Sequence, residues 1–241
     1  MKHGVAVDVA GVGVCYRSRS RLWRPATRHW ALREVSFSVR EHEVLGIMGP
    51  NGSGKTTLCR VLTGIIVPDE GRVDMAAGVG ALLGLGRGLR GDLSGRENAV
   101  LVSMLLGVPH ADAVGALEEV RAFSGLGPAF ERPTKTYSSG MRSRLGFAIA
   151  SRVRPEILVL DEVMSVGDLA FRRQCEGRLE EMRSEAKAII IVSHSAKSLA
   201  NICDRVLWLD GGRVRQVGSP DEVLSAYTTW ARSQAVGEAA R

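Results

Sequence analysis

The octapeptide Gly49-Pro50-Asn51-Gly52-Ser53-Gly54-Lys55-Thr56 constrains this chain more than any other stretch. It fits G-x-x-x-x-G-K-[ST], a loop that cradles phosphate. Gly52 and Gly54 permit backbone dihedrals closed to other residues, so successive N–H groups can turn inward and form an anion nest. Lys55 supplies a positive charge for β- and γ-phosphates, and Thr56, followed by Thr57, offers a hydroxyl to Mg²⁺. The flanks fix the local fold. Glu43-Val44-Leu45-Gly46-Ile47-Met48 reads as a buried strand. Thr57-Leu58-Cys59-Arg60-Val61-Leu62 reads as a helix whose positive end faces the phosphates.

A chain of 241 residues can bury a substantial core in one or two closely packed domains. Its longest nearly apolar run, Ala99 to Val108, is far short of the roughly 20 residues that span a bilayer. Asp8 interrupts any apolar region at the N-terminus, so no signal peptide is expected and the chain reads as soluble and cytosolic. Cys15, Cys59, Cys175 and Cys203 form no C-x-x-C pair, which argues for free thiols rather than a zinc site or disulfides. The net charge is +6, and Arg17, Arg19, Arg21, Arg24, Arg28 and Arg33 concentrate part of it in one patch. That patch reads as a solvated insertion, a surface for anionic lipid, or a nucleic-acid contact with Trp23 and Trp30 interleaved. No nucleic-acid fold signature accompanies it, so no nucleic acid is expected as a partner.

Val5 to Val14 alternates imperfectly, as an edge strand does, and Tyr16 to His29 reads as an inserted loop or short helix. Strand character resumes over Trp30 to Val39, a turn between strands is expected at Pro68-Asp69-Glu70-Gly71, and Val79 to Leu83 is a further short strand. A helical pattern fills Glu97 to Val153, broken near Pro109, Gly125 to Pro128 and Pro133. Apolar runs at Ile157–Leu160, Ile189–Val192 and Val206–Leu209 fit strands of a parallel sheet buried on both faces. Arg172 to Ser184 is helical and charged, and Pro220 to Trp230 is a final helix followed by a frayed tail. The fold expected is thus an α/β core interrupted by a helical insertion.

Three further motifs extend the phosphate site. The run Ile157-Leu158-Val159-Leu160 ends in Asp161 and Glu162, at the carboxyl end of a strand where ligands bind in open α/β sheets. Asp161 is placed to hold Mg²⁺ through water opposite Thr56, and Glu162 to orient or deprotonate the attacking water. His194 ends the strand expected beside that of Asp161 and is in reach of a γ-phosphate. Tyr137-Ser138-Ser139-Gly140-Met141 opens a helix, where serine hydroxyls, glycine backbone and helix N-terminus make a second anion site. Two anion sites with one P-loop suggest that two copies sandwich one ATP.

Together these residues resemble the nucleotide-binding subunit of ATP-binding-cassette (ABC) transporters, over roughly Val5 to Tyr227. The family's signature loop corresponds to Tyr137–Met141, its D-loop to Ser165-Val166-Gly167-Asp168, and its switch histidine to His194. Several details look like the subfamily that exports bacterial polysaccharides, including O-antigen, capsule and teichoic acid. They are the Tyr-Ser-Ser-Gly-Met signature, Phe171-Arg172-Arg173-Gln174-Cys175, Asp92-Leu93-Ser94-Gly95-Arg96-Glu97-Asn98, His29-Trp30-Ala31-Leu32 and Cys203 to Asp210. Some members carry an extra C-terminal carbohydrate-binding domain, which this chain is expected to lack.

The resemblance implies a P-loop NTPase (RecA-like) core with an antiparallel β subdomain and an inserted α-helical subdomain, all one ABC ATPase domain over 1–241. Residues 1–84 and 156–218 would form the core and β subdomain, 85–155 the helical subdomain, and 219–241 a C-terminal helix and tail. It implies ATP and Mg²⁺ as ligands, a head-to-tail homodimer in which Ser138, Ser139, Gly140 and Met141 act in trans, and a membrane permease docked near Leu85–Asn98. The cassette would lie at the cytoplasmic face of the inner membrane and power glycan export. A cassette for another exported lipid or drug, or a soluble ABC ATPase, stays open as an alternative. Where most members place a glutamine, this chain has Gly84, which offers no ligand, so the loop Leu85 to Leu93 would act through backbone and Arg87 or Arg90. Either Tyr16 or Trp30 could supply the aromatic that stacks on adenine, and Tyr16 is favoured because it ends a strand.

Overall fold

The structure is a computed structural model that describes residues 4–17, 28–83, 88–152, 155–161, 169–193 and 195–239. Its centre is a six-stranded sheet of β5 (Val79–Leu83), β6 (Ile157–Asp161), β7 (Ala188–Val192), β3 (Glu43–Met48), β8 (Arg205–Asp210) and β9 (Arg213–Gly218), in that spatial order. The first five run parallel and β9 closes one edge antiparallel to β8. A second sheet has three antiparallel strands, with β1 (Val5–Arg17) between β2 (Arg28–Arg40) and β4 (Glu70–Met75).

Strand alternation sorts the apolar side chains onto two faces. Leu45, Ile47, Ile157, Val159, Ile190, Val192, Leu207 and Leu209 face α1 (Lys55–Leu62) and the three-stranded sheet. Val44, Met48, Leu158, Leu160, Ile189, Ile191, Val206 and Trp208 face α6 (Leu169–Glu185), α7 (Ala196–Ile202) and α8 (Pro220–Ala239). Both faces are covered, which is why these strands read as continuous apolar runs. Trp208 packs edge-to-face against Tyr227 and at a tilt against Trp230 of α8, at centroid distances of 5.4 and 5.2 Å, and its buried indole N–H has no acceptor.

Between β5 and β6 the chain leaves the sheet to form α2 (Gly95–Leu105), α3 (His110–Gly115), α4 (Leu117–Ser124) and α5 (Ser139–Ala150). These share their own core of Ala99, Leu117, Val120, Phe130, Leu145 and Ile149. Ser94 starts α2 with a reciprocal capping box to Glu97. Two contacts fasten this insertion to α6. Arg178 donates from Nε and Nη2 to the Ser151 carbonyl at 3.2 and 2.8 Å, satisfying the end of α5. Phe123, Phe147 and Phe171 pack together, with the Arg144 guanidinium 4.9 Å above Phe171.

Four expectations need correction. β1 is the central strand of its sheet, not an edge, because β4 pairs along its second side. Tyr16, Arg17, Arg28 and His29 are strand residues that continue the β1–β2 ladder, not part of a loop. The turn at Pro68-Asp69 joins α1 to β4 rather than two strands, and Glu70 and Gly71 already belong to β4. The last helix continues past Trp230 to Ala239. Residues 18–27, with Arg19, Arg21, Trp23 and Arg24, lie outside the described residues, as do Gly84, Leu85 and Arg87.

Candidate functional site

The phosphate loop joins the end of β3 to α1, and three neighbours hold its shape. A Cβ at Gly49 would lie 2.0 Å from the Leu209 carbonyl oxygen of β8. Gly54 caps α1 with φ of 103°, and a Cβ there would lie 2.5 Å from the Ala31 carbonyl oxygen of β2. Both positions therefore require glycine. The Gly212 N–H, in the β8–β9 turn, donates to the Ser53 carbonyl at 3.1 Å.

Within this frame Lys55 is buried, and its Nζ donates to the carbonyls of Gly49 and Pro50, each at 2.8 Å. The ammonium thus lies across the loop. Ser53 Oγ is buried with no hydrogen-bond partner, an acceptor or donor in waiting within the cradle. Asn51 and Gly52 are exposed on the rim, and Pro50 is half-buried. Thr56 is exposed in the first turn of α1, where helix N–H groups have no intrahelical acceptor. A buried lysine, an orphan hydroxyl, glycines at steric minima and a helix N-terminus fit a chain of phosphates.

Tyr16 and Trp30 separate clearly. Tyr16 is exposed, and its hydroxyl lies 3.4 Å from Thr57 Oγ1 on α1. Trp30 packs over Gly13, where a Cβ would meet its Cζ3 at 2.9 Å, and under the Arg33 guanidinium. The end of β1 is fixed by Asp69, whose carboxylate accepts from the Cys15 N–H at 2.7 Å. The sequence marked Asp69 only as a turn residue; its second role needs the three-dimensional pairing.

Asp161 ends β6. It pairs across the sheet with Val192 of β7, and Val192 with Ile47 of β3. The expected adjacency of β6 and β7 is observed. Two strand spacings, about 10 Å in all, separate the Asp161 backbone from the root of the phosphate loop. Ser193, fully buried after β7, donates its N–H to the Ile47 carbonyl at 3.2 Å and accepts from the Ser195 N–H at 3.0 Å. A polar residue at the end of the Ile189–Val192 run was its only trace in the sequence. Glu162, Asp168 with the rest of the D-loop, and His194 lie outside the described residues. Among the described residues no group of three or more His, Cys, Asp or Glu is arranged to hold a metal.

The residues expected to make a second anion site lie on the insertion. Ser138 is the N-cap of α5 and accepts from the Met141 N–H at 3.2 Å. Ser138, Gly140 and Met141 line an open depression with Gly125, Leu126 and Arg144, and Ser139 is exposed at the first position of the helix. Tyr137 points away, its hydroxyl donating to the Ala129 carbonyl at 2.6 Å, and burial pushes its phenol above the usual range. α5 packs on α2 and α4, whereas α1 packs on β2 and β6.

A family model described as "ABC transporter" matches residues 32–165. The chain is 40% identical over 204 residues to the O-antigen export system ATP-binding protein RfbB of Myxococcus xanthus, covering 85% of this chain and 47% of that protein. It is 39% identical over 198 residues to the teichoic acids export ATP-binding protein TagH of Lactococcus lactis, covering 82% of this chain and 42% of that protein. The chain thus spans under half the length of these two relatives. Its fold is similar to the dimeric, post-hydrolysis ATP-binding cassette MJ0796 bound to ADP and Pi, with a TM-score of 0.75 at 20% identity over 89% of this chain and 98% of that one. No helix among the described residues is long and apolar enough to cross a membrane.

Proposed function

The chain belongs to the ABC transporter family, and on that premise we propose that it is the ATP-hydrolysing subunit of a transporter that exports a lipid-linked polysaccharide across the cytoplasmic membrane. The observation that carries this reading is the Gly49–Thr56 loop with the buried Lys55 ammonium hydrogen-bonded across it, in a chain whose relatives are named for export of O-antigen and of teichoic acids.

In this reading ATP lies on the P-loop of one copy, its base against Tyr16 and its phosphates over Lys55, Thr56, Thr57 and the loop N–H groups. The N-terminus of α5 in a second copy, with Ser138, Ser139, Gly140 and Met141, closes on the γ-phosphate from the opposite side. The packing of that helix on α2 and α4 of the insertion, with α1 packed on β2 and β6, supports a site shared between copies. Glu162 directs water at the γ-phosphate, His194 stabilises the charge that develops, and Asp168 reaches across the dimer. Thr56 and Asp161 would hold Mg²⁺, which when bound neutralises charge on the β- and γ-phosphates. Closure and release would move a separate membrane subunit docked near Leu85–Asn98, with the cassette at the cytoplasmic face.

Glu162→Gln is the test of the chemistry. ATP binding is retained, hydrolysis nearly vanishes, and an ATP-dependent dimer accumulates in light scattering. Hydrolysis at the parent rate would remove Glu162 from the mechanism. For the cargo, depletion of the protein leads to a lipid-linked glycan accumulating at the cytoplasmic leaflet, and an unchanged glycolipid profile would count against polysaccharide export.

A further inference from the structure

Two turns distant in sequence, 90–94 and 133–137, are fastened together by buried side chains. Asn98 of α2 and Thr134 are both essentially inaccessible to solvent. The Asn98 amide oxygen accepts from the Arg90 N–H at 2.7 Å. Its amide nitrogen lies 3.0, 3.0 and 2.9 Å from the carbonyls of Arg90, Leu93 and Ser94. Thr134 Oγ1 donates to the Arg90 carbonyl at 2.8 Å and lies 3.4 Å from the Asn98 amide nitrogen. The backbones join directly as well: Thr134 N–H donates to Leu93 and Lys135 N–H to Gly91, each at 2.9 Å.

The second turn leads straight into the N-cap of α5, and α5 reaches back to it. Arg142 donates from Nε to the Thr134 carbonyl at 3.2 Å and from Nη2 to the Lys135 carbonyl at 3.4 Å. A continuous hydrogen-bonded path therefore runs from the solvent-exposed turn at Arg90, Gly91 and Asp92, through Asn98 and Thr134, to the helix that begins at Ser139. Buried polar groups in such a path have no water to substitute for a lost partner, so the path breaks as a unit or holds as a unit.

We propose that Asn98 and Thr134 are positioning residues that clamp the 90–94 turn to the start of α5, so that the exposed turn and the Ser138–Met141 anion site move as one body. A partner that presses on the turn thereby moves the anion site, and the clamp sets the geometry with which that site meets a phosphate held by another copy. This rests on the trans role given to Ser138–Met141.

The isosteric Thr134→Val removes the donor and keeps the volume, and Thr134→Ser keeps the donor. In the Glu162→Gln background, Thr134→Val raises the protein concentration needed for half-maximal ATP-driven dimerisation about tenfold, from the loss of one buried hydrogen bond. Affinity of the monomer for a fluorescent ATP analogue stays at the parent value, and Thr134→Ser behaves as the parent in both. Parent-like dimerisation by Thr134→Val overturns the clamp. So does an equal loss of monomer affinity, which marks general destabilisation. Where the Glu162→Gln parent itself does not dimerise, the proposed function fails and the clamp is read by amide exchange instead. Leu93, Thr134 and Lys135 then exchange faster together in Thr134→Val with α1 and β3 unchanged, and unaltered exchange at those three amides refutes it.

Discussion

Tyr16 and Trp30 sit one rung apart on neighbouring strands and face different neighbours. The Tyr16 hydroxyl meets Thr57 beside the phosphate loop, and the Trp30 ring fills the space over Gly13. Stacking of a base on an aromatic is worth about 1–3 kcal/mol, roughly 5- to 150-fold in Kd. Tyr16→Ala is accordingly expected to weaken ATP binding within that range, and Tyr16→Phe to keep most of it. Trp30→Ala lowers stability and leaves the affinity unchanged. Titration with a fluorescent nucleotide checks all three, and an affinity loss confined to Trp30→Ala would reverse the assignment. The P-loop residues were legible because each carries a distinctive chemical type at a fixed spacing. Asn98, Thr134, Ser193 and Asp69 were not, because an ordinary polar side chain acquires meaning only from the carbonyls and N–H groups that folding brings to it.

At the level of elements, the two helix starts in the insertion invite comparison. Ser94 and Ser138 are both N-caps, the first in a full capping box and the second with a single bond to Met141. Replacing either by alanine is expected to cost about 1 kcal/mol in chemical denaturation, and a cost near zero at Ser94 would contradict the capping geometry. The capping box also holds the Glu97 carboxylate below its usual range, chiefly through the Ser94 N–H and then its hydroxyl. That contribution is present above the ordinary glutamate range and is lost as pH falls through the depressed value. Strands β3, β6, β7 and β8 were readable from their apolar runs, since burial on both faces leaves few alternatives. β9 went unread because Val214 and Val217, its only apolar side chains, lie three apart rather than alternating, the ladder to β8 shifting register between them. β1 misled in a related way: bulges break its alternation although it lies between two strands.

For the whole molecule, three apolar clusters account for the layering, one on each face of the large sheet and one within the insertion. The thiols report on that burial. Cys175 and Cys203 are pushed up to about 12, mainly by burial and then by Glu176 and Asp204 respectively. Cys59 is also buried, and Cys15 is half-buried at the end of β1. At pH 8 a thiol reagent should modify Cys15 readily and the others only on unfolding. The folded chain holds the Cys175 and Cys203 protons to higher pH than the unfolded chain does. Their contribution is therefore complete below the ordinary thiol range and falls away as pH rises toward about 12. A thermal midpoint followed through that interval should decline, less steeply in Cys203→Ala. The aromatic group under α8 has a separate use. Trp208 is paired with Met48, the residue immediately before the phosphate loop, and its indole is dry, unbonded and beneath the Arg215 guanidinium. An indole in such surroundings emits to the blue and is sensitive to the cation above it, so the chain carries its own unlabelled optical reporter one ladder rung from the nucleotide loop.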